Sequence, residues 1–407
     1  MPVANTVNLL TMKTTNPKLF WAGITLLVLP GLLHAYLLMP FPGSQDINAI
    51  TVCYYLEKIV LPLRIVGALL ILFYLFKGLP TNSRKQKIIK LSVLVLCLGS
   101  FYFTDYKFKA EIMFKETLKA RFANMFKNKV PDSYLVIGVV HNGVAKAYPV
   151  IYLGYHHKVQ DSIGGKPILV TYCTMCRTGR VYDPVINGKE QIFRLVGARH
   201  YNAIIEDKAT GTWWYQATGV AAVGPMKGSH LAELPYEQTT LDSWLARYPG
   251  SLIMQPDGKY AADYKDLKDY DVKQAVDKDS TLKNKDSLVS KTWIVGIIGN
   301  GQAKAYDWRK LVKKRIMNDN LNGIQLLLAI ENDKQSFHAW SSLVDGRPHH
   351  FMIENNQLKD EETSSFWNWA GTCVSGPLKG QQLTKVQASQ EYWRSWKQFH
   401  PGTEIWR

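Results

Sequence analysis

Ile137-Gly138-Val139-Val140-His141-Asn142-Gly143-Val144-Ala145-Lys146-Ala147-Tyr148 recurs as Val295-Gly296-Ile297-Ile298-Gly299-Asn300-Gly301-Gln302-Ala303-Lys304-Ala305-Tyr306. Each copy runs apolar, turns at Asn-Gly and alternates again, a strong short-range signal for a β-hairpin. The spacing persists through Asp161/Asp319, Gly165/Gly323, Gly188/Gly346 and Phe193/Phe351. It shortens slightly before Gly224/Gly376, Trp244/Trp396 and Gly250/Gly402. Two copies are too few for a solenoid, so the pattern predicts a tandem pair of domains.

Further elements extend the match. A short helical stretch (150–157; 308–314) precedes an apolar strand (167–172; 325–330) and a returning strand (179–182; 336–340). A Trp-rich strand follows (213–216; 366–369), and each copy closes on a short helix around Trp244 or Trp396. There is no βαβ rhythm and no Gly-x-Gly-x-x-Gly, so the expected class is β-rich α+β. The copies should span 131–258 and 292–407. The stretch 259–291, polar with alternating Lys and Asp, reads as a linker.

Residues 1–106 read differently. Residues 19–39 carry no Lys, Arg, Asp or Glu, 59–76 carry only Arg64, and 88–103 carry only Lys90. A span needs about 20 apolar residues, so these predict an anchor of about three membrane helices, the third of them short. The first stretch is long for a secretory signal and no small-x-small site follows it. Lys13 and Lys18 precede the first span, and Lys77, Arg84, Lys85 and Lys87 fill the second loop. Positive residues stay on the cytoplasmic side, which places the N-terminus inside and Asp105 onward outside. The expected location is a membrane, with the soluble domains outside the cytoplasm.

The net charge of +16 suggests nucleic acid until it is divided. Residues 1–130 hold 16 Lys+Arg against 5 Asp+Glu, and the rest hold 33 against 28. The excess lies beside the spans, where it suits anionic lipid headgroups. Membrane lipids are therefore the expected partner, and nucleic acid is not. Residues 107–130, basic with interleaved Phe, predict an amphipathic stem helix.

The copies differ most at Val170-Thr171-Tyr172-Cys173-Thr174-Met175-Cys176-Arg177. The second copy has Glu331-Asn332-Asp333-Lys334 where the first has Cys173-Thr174-Met175-Cys176, so both cysteines are gone. Asn-Asp is turn chemistry, which puts the sulfurs at a β-hairpin tip. Such a pair can act as a redox dithiol, hold a metal or clip a turn as a disulfide. In the redox reading Cys173 attacks and Cys176 resolves. Arg177 or Arg180 lowers a thiol pKa, and His157 moves protons. That reading needs no cofactor and implies a protein or small-molecule thiol partner. The metal reading adds His156, His157 and His200 to Cys173 and Cys176 and implies copper or zinc. The third reading is an interaction domain with a structural disulfide, which stabilises little across so short a loop.

The chain resembles DUF3179, an uncharacterised bacterial family of unknown function. The resemblance rests on Lys146-Ala147-Tyr148-Pro149, Tyr155-His156-His157-Lys158-Val159-Gln160-Asp161 and Thr171-Tyr172-Cys173-Thr174-Met175-Cys176-Arg177-Thr178-Gly179-Arg180. Further support comes from Trp213-Trp214-Tyr215-Gln216-Ala217-Thr218-Gly219. Some members are selenoproteins, which implies a redox role for Cys173 or Cys176 and names no substrate. With the bacterial resemblance, the expected membrane becomes a bacterial inner membrane and the outer compartment its periplasm.

Overall fold

The structure, a computed structural model, describes residues 16–117, 119–267 and 288–407. The chain forms two compact units, 1–113 and 114–407. The first contains helices Lys18–Leu38, Ile50–Lys77 and Arg84–Phe101, the last continued by a π-helical turn to Lys107. All three are long and apolar enough to cross a membrane. The third is not short: with its π-helical continuation it runs Arg84–Lys107 and starts at a Ser83/Gln86 capping box. The second begins at Ile50 and buries Cys53 in its first turn.

Gly23 and Gly67 let the first two helices touch; a Cβ on Gly67 would lie 2.7 Å from the Gly23 carbonyl oxygen. Arg64, the charge inside the second helix, pairs with Asp105 at 2.6 Å. It also donates to Thr104 Oγ1 and the Leu27 carbonyl. A charge in a span is costly unless paired in this way.

The stem helix expected over 107–130 does not form. Lys107 ends the third helix, Ala110–Met113 is one turn, and Phe122–Ala123 is a strand paired with Ile253 and Met254. Its aromatic residues have separate tasks in the second unit. Phe114 stacks on His157 and Phe122 packs against Tyr148. Tertiary contacts thus override a helical spacing that local propensity supports only weakly.

The second unit is mixed α/β, built of small sheets. Strands Leu135–His141 and Val144–Pro149 pair through the Asn142-Gly143 turn, both residues at positive φ. Glu237–Thr240 flanks one side, and Leu252–Met254 joins the other in parallel. Trp293–Gly299, Gln302–Asp307, Ala388–Tyr392 and Glu404–Ile405 repeat this arrangement, parallel pair included. Next in each half comes a three-stranded sheet: Lys158–Ile163, Lys166–Cys173 and Thr178–Tyr182, then Ile316–Leu321, Ile324–Ile330 and Phe337–Ser341. A four-stranded sheet follows in each, built on Phe193–Arg199 and Asn202–Asp207 or on Phe351–Glu354 and Gln357–Asp360.

Matching details recur inside these frames. Asp161 accepts from Lys146 and from Tyr148 at 2.7 Å each, and Asp319 does the same for Lys304 and Tyr306. A Cβ on Gly138 would meet the Trp244 ring at 2.2 Å, and one on Gly296 would meet Trp396 at 2.2 Å. Only glycine lets each buried indole lie flat on its strand.

The linker read over 259–291 is described only in part, since 268–287 lie outside the described residues. Its start is structured: Ala261–Leu267 is a helix whose buried Tyr264 packs on Tyr152 and Tyr155. Two tyrosines in a polar stretch are enough to tie it to the core.

The halves dock reciprocally through their hairpin turns. Tyr392 N–H donates to the Cys176 carbonyl, and Arg394 donates to the Met175 carbonyl. In the opposite sense, Thr240 N–H donates to Ser336 Oγ, and Thr240 Oγ1 donates to Asp333.

Candidate functional site

Cys173 ends the Lys166–Cys173 strand and pairs with Thr178 across a four-residue turn. Cys176 lies in that turn, just before Arg177 at φ +57°. The hairpin-tip placement expected from sequence is therefore found. The tip is nonetheless closed: both cysteines are free thiols at 0% exposure. Only Thr174 and Met175 of the turn are partly exposed. The second half covers the tip through Tyr392 and Arg394, and the Tyr201 carbonyl lies 3.8 Å from Cys173 Sγ.

A buried polar network surrounds the sulfurs. Asn202 Nδ2 donates to Cys176 Sγ at 3.1 Å and to Gln216 Oε1 at 3.3 Å. Gln216 donates to Thr171 Oγ1 and to the Thr178 carbonyl. Asn202 Oδ1 in turn accepts from Ala217 N–H. Partly satisfied polar groups in a core are costly, so this connected set marks the site as built rather than incidental. At the strand position of Thr171 the second half has Ala329, which belongs with Leu327 and Trp340 to an apolar cluster.

The two thiols are unequal. Burial raises the Cys173 thiol, but the Cys176 side chain and the backbone N–H groups of Cys176, Ala203 and Met175 outweigh it and lower the pKa. Burial and the neighbouring Cys173 push Cys176 well up. Cys173 is thus the more acidic thiol of the pair.

The arginines have other tasks than those expected. Arg177 lies over the Trp293 ring at 3.4 Å and donates to Gln390 at 2.9 Å. Arg180 pairs with Glu391 at 3.1 Å and Glu233 at 3.5 Å, and donates to the Ala217 carbonyl and Tyr236. Neither is among the groups that lower Cys173. Both are buried and fasten the first half to the second.

The histidines divide as well. His156 hydrogen-bonds the Lys115 carbonyl through Nδ1 and Tyr264 through Nε2. His157 stacks on Phe114 with ring centroids 4.2 Å apart, and its buried Nδ1 has no hydrogen-bond partner among the described residues. His200 belongs to the turn beside the sulfurs, next to Tyr201, both at positive φ. The corresponding turn in the second half holds Asn355-Asn356, residues that accept this conformation more readily. His and Tyr are strained there, and such strain gathers at functional sites. Among the described residues, no histidine or carboxylate joins both sulfurs in a ligand-sized cluster. The five residues of the metal reading are therefore not brought together.

Burial lowers His157 to about 4, with a backbone contact from Gly154 opposing it in part. The unfolded side chain titrates near 6.5, so the unfolded chain binds more protons between those values. This contribution is complete above pH 6.5 and is lost as pH falls toward 4. It amounts to about 3 kcal/mol. His157→Asn tolerates the positive φ and removes the titration. The variant's urea midpoint should vary less than the wild type's from pH 6.5 to 4; parallel curves would refute the assignment.

Sequence reasoning flagged Gln216 but missed Asn202, Gln390, Glu391, Tyr392 and Arg394. One signal was available: Glu391 stands where the first half has Thr239, each directly opposite the first strand of its half. A charge at that strand position, where the first half has a buried threonine, implies a buried partner.

Fold and site together describe a mixed α/β unit of small sheets that holds a covered dithiol, and a separate unit of three apolar helices. The model for proteins of unknown function, DUF3179, matches residues 116–403, and the chain belongs to that family. No curated protein and no solved structure matches it.

Proposed function

We propose that the protein is a membrane-anchored thiol–disulfide redox protein that works through Cys173 and Cys176 outside the cytoplasm. The supporting observation is an unequal pair of buried thiols, Cys173 lowered and Cys176 raised, set in the Asn202–Gln216 hydrogen-bond network. The three apolar helices and the positive residues flanking them support the anchor and its orientation in a bacterial inner membrane. The matching sheets support a tandem duplication, with the second half acting as a clasp.

The chemistry is a two-electron exchange. The Cys173 thiolate attacks one sulfur of a partner disulfide, which releases the other partner sulfur as a thiolate and forms a mixed disulfide. Cys176 then loses its proton and attacks the Cys173 sulfur, which releases the second partner thiolate. The protein is oxidised to a disulfide, and the partner is reduced and takes up the protons. The turn must lift for this, and the bonds from Tyr392 and Arg394 are what it has to break.

The reduction potential of the pair is the test. Structural disulfides lie below about −300 mV, and the redox reading expects a higher value. A potential below that limit, or a pair that never oxidises in a glutathione series, would end it.

A further inference from the structure

A second cluster lies in the other half, on the Phe351–Glu354 and Gln357–Asp360 sheet and the turn leading into it. His349 Nδ1 lies 3.4 Å from Asp360 Oδ1 and 3.6 Å from Glu362 Oε2. The three donor atoms are all within 4.8 Å of one another. We propose that His349, Asp360 and Glu362 form a binding site for a divalent transition-metal ion of the zinc class, with one coordination position open.

The spacing supports this. His349 Nδ1 makes a long hydrogen bond to Asp360 Oδ1 at 3.4 Å, against the usual span of about 2.7–3.2 Å, and lies beyond hydrogen-bond reach of Glu362 Oε2 at 3.6 Å. Ligands about 2.0–2.1 Å from a tetrahedral zinc ion lie about 3.3–3.4 Å from each other. His349 and Asp360 are buried, and Glu362 is 36% exposed, so one side of the site opens to solvent. An imidazole with two carboxylates suits zinc, manganese or iron and excludes the soft thiolate preference of Cu(I).

The surroundings hold the donors in place. Asp360 Oδ1 accepts from Thr363 N–H and Oγ1 at 2.7 Å each, and its Oδ2 accepts from Trp367 Nε1 at 2.9 Å. Those bonds outweigh burial and keep its carboxyl below the usual range. Glu362 is steadied by His350, whose N–H lies 3.0 Å from both carboxylate oxygens and whose Nδ1 lies 3.1 Å from Oε1. Such outer partners orient metal ligands.

The first half supplies an internal control. Asp207 makes the same corner, accepting from Thr210 N–H and Oγ1 and from Trp214 Nε1. Backbone bonds from Lys208 to Ile192 and from Glu361 to His350 tie the two corners in the same way. Yet the first half has Gln191, Ile192 and Ala209 where the second has His349, His350 and Glu362. The corner therefore folds without those donors, and their presence in one half calls for a separate reason.

The test uses the full chain in detergent, with Cys173→Ser and Cys176→Ser removing the sulfur ligands, so its outcome is independent of the redox reading. After chelation, Zn²⁺ should bind at one equivalent per chain. Glu362→Gln and His349→Ala should each weaken it at least about tenfold. X-ray absorption should show only nitrogen and oxygen near 2.0 Å. Glu362 is at the surface, so that variant keeps the fold even if His349→Ala does not. Absence of stoichiometric zinc, or binding unchanged by Glu362→Gln, would overturn the site and leave His349 as a plain ion-pair partner.

Discussion

Replacing Glu391 with alanine should cost the 114–407 unit about 3–5 kcal/mol, the range for breaking a buried ion pair from one side. Glu391 and Arg180 are 1% and 6% exposed. Burial raises the Glu391 carboxyl, with Arg180, Ser395 and Thr178 opposing it. Without Glu391 the guanidinium keeps, among the described residues, only the peripheral Glu233 as an anion. Thr178 also loses its 3.2 Å bond to Glu391, directly beside the cysteine turn. Chemical unfolding in detergent measures the loss. Arg180→Met combined with Glu391→Leu should recover much of it, because apolar replacement of both partners is often neutral. A loss below about 1 kcal/mol for the single variant would mean that the pair does not join the halves.

Alkylation should separate the two thiols as strongly. With a small uncharged reagent near pH 7, Cys173 should react first, because its thiol is lowered and that of Cys176 is raised. Each unit of pKa changes the thiolate fraction about tenfold where the thiol predominates. Cys176→Ala removes the side chain that helps lower Cys173, so burial then dominates and the reaction at pH 7 should slow at least about tenfold. Glu391→Ala should speed modification of both sulfurs by loosening the cover. Mass spectrometry of timed samples gives each rate. Equal rates at the two cysteines, or no change in Cys176→Ala, would remove the basis for naming Cys173 the nucleophile.

Much of the scaffold was legible because it is written locally. Asn142-Gly143 and Asn300-Gly301 set their hairpins by turn chemistry, and the three apolar helices follow from length and hydropathy. Cys173 and Cys176 were placed correctly on a turn for the same reason. What covers that turn was not legible, since Gln390, Glu391, Tyr392 and Arg394 lie more than two hundred residues along the chain. Arg177 and Arg180 look like surface charges beside a thiol until those partners arrive. The stem helix over 107–130 failed because its helical spacing competed with strand pairing at Phe122 and stacking at Phe114. His349 and Glu362 are far enough apart in sequence that only the hairpin between them reveals the cluster.

The crossed turns have a practical meaning for anyone probing the sulfurs. Parting the halves far enough to free Cys176 from Tyr392 also strips Ser336 and Asp333 from Thr240. Entry to the dithiol and cohesion of the whole body then draw on one free energy. A reagent that reaches Cys173 becomes a gauge of how often the molecule breathes.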